Sequence, residues 1–426
     1  NAFIKADDKG AQLVKRSLAG LFAYVSNRVP EISDVLYSLD DALRAGFAWE
    51  IGPFQYWDIV GIQKGIELAE ADGLTVAAWA KEMVAAGNTS FYKVENGKRL
   101  CYDVASKTYK ALPGGDAFIV MKNFENETVW KNSACRTYHL GDDVLGLEWY
   151  TKMGSIGGEV LEGIQKSITL AEDKYKGLVI ANDGANFSAG ANVGMIFMLA
   201  IEQDYDEIDM AIRMFQNTIM RVRYSSIPVV VAPHGLALGG ACEMSLHADK
   251  VIAAAETYTG LVEVGIGVIP GGAGTKEFVL RAADEMHDGE VDTLTLQNRF
   301  LTIATAKVAT SAHEAYDLGI YRRGRDLVSL NLGRRIAEGK QAVIDLYNDG
   351  YVMPVQRNDI KVLGRSALGA MHAGINGMWR GKYATDHDVT VAKKLAYVMC
   401  GGDLSEPQLV SEEYLLNLER EDRKST

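Results

Sequence analysis

The stretch GLALGGACEMSLHADK, residues 235–250, sets two adjacent glycines before a short apolar helix whose first turn carries an acid, Glu243. An ionised carboxylate in an apolar wall is costly, so such a residue is either well compensated or used. Apolar, partly β-branched runs flank it, VVVAP (229–233) before and KVIAAA (250–255) after, and both read as buried strands. The same strand-to-helix junction built of small residues recurs in NDGANFSAGANVGMI (182–196) and GLVEVGIGVIPGGAGTKE (260–277). Small residues let backbone N–H groups approach a ligand, and a helix start adds partial positive charge, so these loops suit an oxyanion or a phosphate.

Working outward, GLVIAND (177–183) is a further short strand. Residues 158–174 follow a helical period through Val160, Ile164 and Ile168, and 206–224 through Ile208, Ile212, Phe215, Ile219 and Val222. CRTYHLG (135–141) and DVLGLEWY (143–150) form a β pair. Strands alternating with helices predict a largely parallel, layered α/β domain. On the other side, helical segments near 333–347, 359–373, 388–399 and 411–422 read as a helical appendage.

Upstream, 32–72 is helical with an aromatic interruption, GFAWEIGPFQYWDIVG (46–61), where Phe47, Trp49, Phe54, Tyr56 and Trp57 are expected to crowd about Gly52-Pro53 as a satellite core. A helix at 74–86 and a hairpin turning at Asn96-Gly97 follow. Pro113-Gly114-Gly115 punctuates the chain, and the domain boundary is placed between about 113 and 132 on this turn chemistry. The domains then read 1–125, 126–330 and 331–426.

Composition narrows the functional classes. Of 426 residues, 56 are acidic and 44 basic; the net charge of −12 argues against nucleic acid or an anionic membrane as a general partner. No apolar run reaches the roughly 20 residues of a membrane span, and no signal sequence opens the chain, so a cytoplasmic protein is expected. Cys101, Cys135, Cys242 and Cys400 are far apart and read as free thiols; no metal site is expected, and His234 and His247 read as structural or surface residues. Neither a Walker loop, a complete dinucleotide fingerprint nor G-x-S-x-G is present.

Glu243 alone is more simply a helix cap, and Glu263 alone a strand-edge residue facing water. Together, beside loops rich in backbone donors, they form what addition of water to a polarised double bond requires.

FSAGANV (187–193), GLALGGACEMSLHADKVIAA (235–254) and ETYTGLVEVGIGVIPGGAGT (256–275), in this order and spacing, resemble the enoyl-CoA hydratase (crotonase) superfamily over residues 132–325, with ATSAHEAYDLGIYRR (309–323) fitting its later segment. Residues 1–34 and 46–61 resemble the C-terminal helical part of 3-hydroxyacyl-CoA dehydrogenases, so that the whole is similar to the back end of a bifunctional β-oxidation protein. The resemblance implies a crotonase-like ββα-repeat layered α/β domain, preceded by a mainly helical dehydrogenase-like domain and followed by a helical tail. It implies Glu243 and Glu263 as catalytic, with Glu263 the proton donor, and Ala191 and Gly240 as oxyanion-hole donors. Ala189, Gly190, Gly239, Pro270 and Gly271 would bind substrate. An acyl-CoA thioester would be that substrate; no metal or redox cofactor is called for, and NAD would belong only to a dehydrogenase half expected upstream of Asn1. A homo-oligomer is expected. Ala241 stands where many members have glycine and Val262 where many have proline, and neither change removes a reacting group. A double-bond isomerase or another crotonase reaction, and a silent acyl-CoA-binding or oligomerisation module, are the alternative readings.

Overall fold

The computed structural model describes residues 2–287, 289 and 291–424, and its contacts separate two units, 1–117 and 118–426. In the first unit the helices Lys9–Asn27, Leu36–Phe47, Pro53–Val60, Ile62–Ala71 and Ala78–Ala85 precede an antiparallel sheet of Tyr92–Glu95, Lys98–Asp103 and Thr108–Ala111. Asn96 and Gly97, at φ of 52° and 73°, make the hairpin turn that this pair favours. The aromatic run divides differently from the expectation. Phe54 and Trp57 enter the core and meet Phe22 and Phe91, whereas Phe47 is 72% exposed and Tyr56 lies at the surface. Helical spacing explains the split: Pro53 starts a new helix at Gly52, and only positions 54 and 57 of that helix face inward.

The second unit is built on a seven-stranded sheet. Its order is Leu327–Ser329, Lys250–Ala254, Val229–Val231, Gly177–Ile180, Val144–Trp149, Cys135–His139, Thr128–Lys131. The first five run parallel and the last two are antiparallel. Val229–Val231 and Gly177–Ile180 are buried at every position, which is why they read as unbroken apolar runs rather than alternating ones.

A second, smaller ladder crosses the first. Gly235–Leu238 pairs in parallel with Thr257–Gly260, and single bridges extend it through Ser188–Ala237, Ile156–Ala191 and Thr259–Ala309. The chain therefore repeats one unit: a strand in the large sheet, a step in the small ladder, then a helix. Val144–Trp149, Ile156 and the helix Gly158–Lys174 make one turn; Val229–Val231, Gly235–Leu238 and the helix Gly240–His247 make another. Each junction from ladder to helix lies on the same side of the layers, which brings the glycine-rich loops together.

Two elements depart from the sequence reading. A helix, Val193–Ile201, is inserted before the helix Tyr205–Arg223; it is apolar all round, which gave its sequence no helical stripe. Residues 359–373 are not one helix: Ile360–Val362 pairs antiparallel with Gln408–Val410, and the helix Gly364–Arg380 starts after them. Nor are the last hundred residues an appendage. Val391, Leu395, Val398 and Leu415 belong to the same buried cluster as Val229, Val251 and Phe278. Charges lock them in place too, since the fully buried Lys276 amine lies 2.8 Å from Glu412 and 3.3 Å from Glu277.

Candidate active site

The junctions enclose a cavity of about 260 Å³ lined by Ala189, Gly190, Ala191, Gly239, Gly240, Glu243, Glu263 and Gly271. Eight of the nine residues singled out in the sequence thus share one wall. The ninth, Pro270, is buried and does not line the cavity, because the chain turns between it and Gly271. The rest of the lining is mostly apolar, with Leu161, Ile196, Leu199, Ile212, Phe215 and Ile266 forming a sleeve away from the acids.

Two backbone N–H groups are presented to this space by the ladder itself. Around the parallel bridge of Ile156 and Ala191, the bonds run from Ile156 N to Gly190 O and from Asn192 N to Ile156 O, so the intervening Ala191 N–H is turned the other way. Gly240 is the first residue of its helix and has no preceding turn to donate to. Among the described residues neither N–H has a partner. They are close, for a Cβ on Gly190 would stand 3.5 Å from Gly240 N. Gly239 turns the chain between ladder and helix at φ of 54°, where a Cβ would also stand 2.9 Å from Glu263 Oε1.

Glu243 is 2% exposed. Its Oε1 accepts from Gly272 N at 2.8 Å and Gly274 N at 2.9 Å, at the start of the helix Gly274–Asp284. Gly272 must be glycine, since a Cβ there would stand 2.2 Å from Glu243 Oε2. Behind Glu243, His247 Nδ1 lies 2.7 Å from the Glu243 carbonyl oxygen and its Nε2 lies 2.9 Å from the Lys276 amine. An ammonium can only donate, so Nε2 accepts, Nδ1–H donates and the ring is neutral. Burial and Lys276 accordingly hold the His247 pKa well below its ordinary value.

Glu263 opens a 3-10 turn, Glu263–Ile266. It is half-buried as a residue, yet its Oε2 is sealed from solvent and has no hydrogen-bond partner among the described residues. The carboxyl tip is therefore more deeply placed than the exposure of the whole residue indicates. Burial raises both acids above the usual carboxylate range, and for Glu243 the charges of Glu263 and Glu419 add to it. Two carboxyls so placed share protons as a pair. The surroundings differ: Glu243, raised further, has its anion supported by two N–H groups at a helix start, while Glu263 keeps one oxygen without a partner and has its rise opposed by Arg423 and by nearby backbone N–H groups.

Two charged residues of the site left no signal in the sequence. Both lie on the helix Glu412–Lys424, far along the chain from the glycine loops. Glu419, fully buried, accepts from Ala273 N at 2.6 Å and Lys276 N at 3.0 Å, so that Glu243 and Glu419 between them take up the helix start. Burial pushes its pKa up to about 6. Arg423 lines the cavity itself.

A layered α/β unit of ββα turns is a crotonase-like fold, and here it carries a paired donor site that faces two buried acids. Residues 150–289 match the family model described as Enoyl-CoA hydratase/isomerase. Over 422 residues the chain is 38% identical to the "Probable 3-hydroxyacyl-CoA dehydrogenase" of Bacillus subtilis strain 168, which covers 99% of this chain and 53% of that protein. It is 26% identical over 284 residues to the "Putative fatty acid oxidation complex trifunctional enzyme" of Rickettsia prowazekii, covering 66% of this chain and 36% of that one. An enoyl-CoA hydratase from Polaromonas sp. JS666, solved by crystallography, is similar at 19% identity and a TM-score of 0.42, over 62% of this chain and 90% of the other. The chain spans about half the length, or less, of these two curated relatives. Among the described residues no helix is long and apolar enough to cross a membrane.

Proposed function

We propose that the second unit adds water reversibly to trans-2-enoyl-CoA, giving 3-hydroxyacyl-CoA, as the hydratase part of a longer β-oxidation enzyme. The observation that carries this reading is the convergence of two unspent backbone donors and two buried acids on one cavity with an apolar sleeve. The thioester oxygen accepts from Ala191 N–H and Gly240 N–H, and the negative charge that develops on it is stabilised where no water competes. Water sits between the acids. Glu243 takes its proton as the oxygen bonds to the β-carbon, and Glu263 delivers a proton to the α-carbon as the enolate collapses. The proton gained by Glu243 returns to Glu263 before the next turnover, so the pair is reset and the step calls on neither a metal nor a redox cofactor. The apolar sleeve receives the acyl chain.

The test is disappearance of the conjugated enoyl-thioester absorbance with crotonyl-CoA and a longer 2-enoyl-CoA, with 3-hydroxyacyl-CoA identified by mass. Glu243→Gln and Glu263→Gln are each expected to lower kcat by a factor of roughly 10² to 10⁴ while ligand binding persists. A folded wild-type chain that binds enoyl-CoA without turning it over refutes the reading, and a product with a migrated double bond replaces it with isomerisation.

A further inference from the structure

The helix Glu412–Lys424 is fixed in register along much of its length. Arg420 Nε lies 3.1 Å from Asp209 Oδ1, Gln216 Nε2 donates to Leu416 O at 3.1 Å, Glu419 holds the amides of Ala273 and Lys276, and Asp422 lies 3.0 Å from the Lys394 amine. One turn beyond Glu419, Arg423 enters the cavity wall, and its Nη1 donates to the Ile269 carbonyl oxygen. Its Cδ passes 2.7 Å from where a Cβ on Gly271 would stand, so the glycine makes room for the side chain. Among the described residues that line the cavity, Arg423 is the only basic one.

Glu243 from the helix Gly240–His247 and Glu263 from the 3-10 turn line the same cavity as Arg423, and Glu419 lies on the same helix as Arg423. Lys276, on the helix Gly274–Asp284, answers Glu419, and the buried Cys242 thiol precedes Glu243 in the chain. With no cation in the cavity, burial would favour the protonated form of both Glu243 and Glu263, and a fully protonated pair has no base for water.

We propose that Arg423 is a positioning residue for the Glu243–Glu263 pair: anchored on Ile269, it keeps one of the two ionised while the other stays protonated. The proposal rests on the hydration reading for its consequence and on the cavity geometry for its content. Burial raises both acids, and Arg423 opposes that rise at each, most of all at Glu263. An opposite charge within about 4–6 Å of a carboxyl is worth about one to three pKa units.

The experiment compares Arg423→Met and Arg423→Lys with wild type in the full chain. In the ligand-free protein, carboxyl-¹³C glutamate labelling follows the two side chains by NMR, with Glu243→Gln and Glu263→Gln assigning the signals. The Met variant is expected to move the titration of the pair up by about one unit or more, and Lys to restore most of it. With enoyl-CoA, the acid limb of the kcat–pH profile moves by the same amount, kcat at pH 7 falls about tenfold or more, and KM stays within about threefold. A folded Met variant whose carboxyl titration is unchanged overturns the proposal; should Met fail to fold, an unchanged titration in the Lys variant together with Arg423→Gln does so. A shifted titration in a chain whose wild type never turns over enoyl-CoA sinks the hydration reading and leaves the positioning of the carboxyls standing.

Discussion

Glu419→Gln gives the sharpest test of how the buried acids are held. Glu419 is fully buried and its pKa is raised from 4.5 to about 6, chiefly by burial. Below pH 4.5 the carboxyl is protonated in both folded and unfolded chains, and its ionisation costs the fold nothing. As pH rises the unfolded chain releases this proton first, so the native state loses stability until the folded group also ionises, near pH 6. A rise of 1.5 units corresponds to about 2 kcal/mol, present in full above roughly pH 7. Glutamine cannot ionise. It keeps one carbonyl oxygen for Ala273 N but turns an NH₂ toward Lys276 N, a loss of about 1–3 kcal/mol that does not change with pH. The two effects separate by titration. The stability of the variant minus that of wild type should rise by about 2 kcal/mol between pH 4 and pH 8, whatever its starting value. Urea unfolding, read by hydrogen exchange of peptides from residues 274–284, confines the measurement to the second unit. A difference flat with pH, or falling as pH rises, refutes the argument that Glu419 is held as a desolvated acid.

Two further substitutions test the packing. Phe91→Ala removes a fully buried ring that meets Phe54, Trp57 and Trp79, and should destabilise the first unit by about 3–5 kcal/mol in calorimetry; under 1 kcal/mol would contradict that core. Gly154→Ala puts a Cβ 2.5 Å from the Phe187 carbonyl oxygen at φ of 64°, beside the FSAGANV loop, and should cost about 1–3 kcal/mol with a loss of acyl-CoA affinity; an alanine variant as stable as wild type would show that this loop yields freely.

How much was legible follows from distance along the chain. Each element that pairs with its neighbour carried its own signal: the helix Gly158–Lys174 declared its period, and Asn96-Gly97 declared its turn. The helix Val193–Ile201 carried none, because a segment apolar all round has no face. At Phe47 and Tyr56 composition suggested a core, but facing is set by where the helix begins, and Gly52-Pro53 restarts it. The break at Gly364 was equally silent: glycine is needed there both for its φ of 64° and because a Cβ would stand 2.7 Å from the Leu404 carbonyl oxygen, a contact forty residues away.

The site shows the same rule at higher stakes. Ala191, Gly240, Glu243 and Glu263 lie in loops whose chemistry is local, since a backbone donor needs only small neighbours and a helix start. What determines the proton traffic between the acids is not local. Glu243 and Glu419 divide the amides of Gly272, Ala273, Gly274 and Lys276 between them, although the two acids stand 176 positions apart in the chain. Each takes different N–H groups of one helix start, so both carboxylates draw on the same partial positive charge. The charge of Glu419 raises Glu243 further, while Arg423, one turn along the same helix, opposes the rise at both acids of the pair and most of all at Glu263. The C-terminal helix thus brings a third carboxyl and a cation together at the site, and a substitution at either should be felt in the protonation of the Glu243–Glu263 pair before it is felt as a loss of fold.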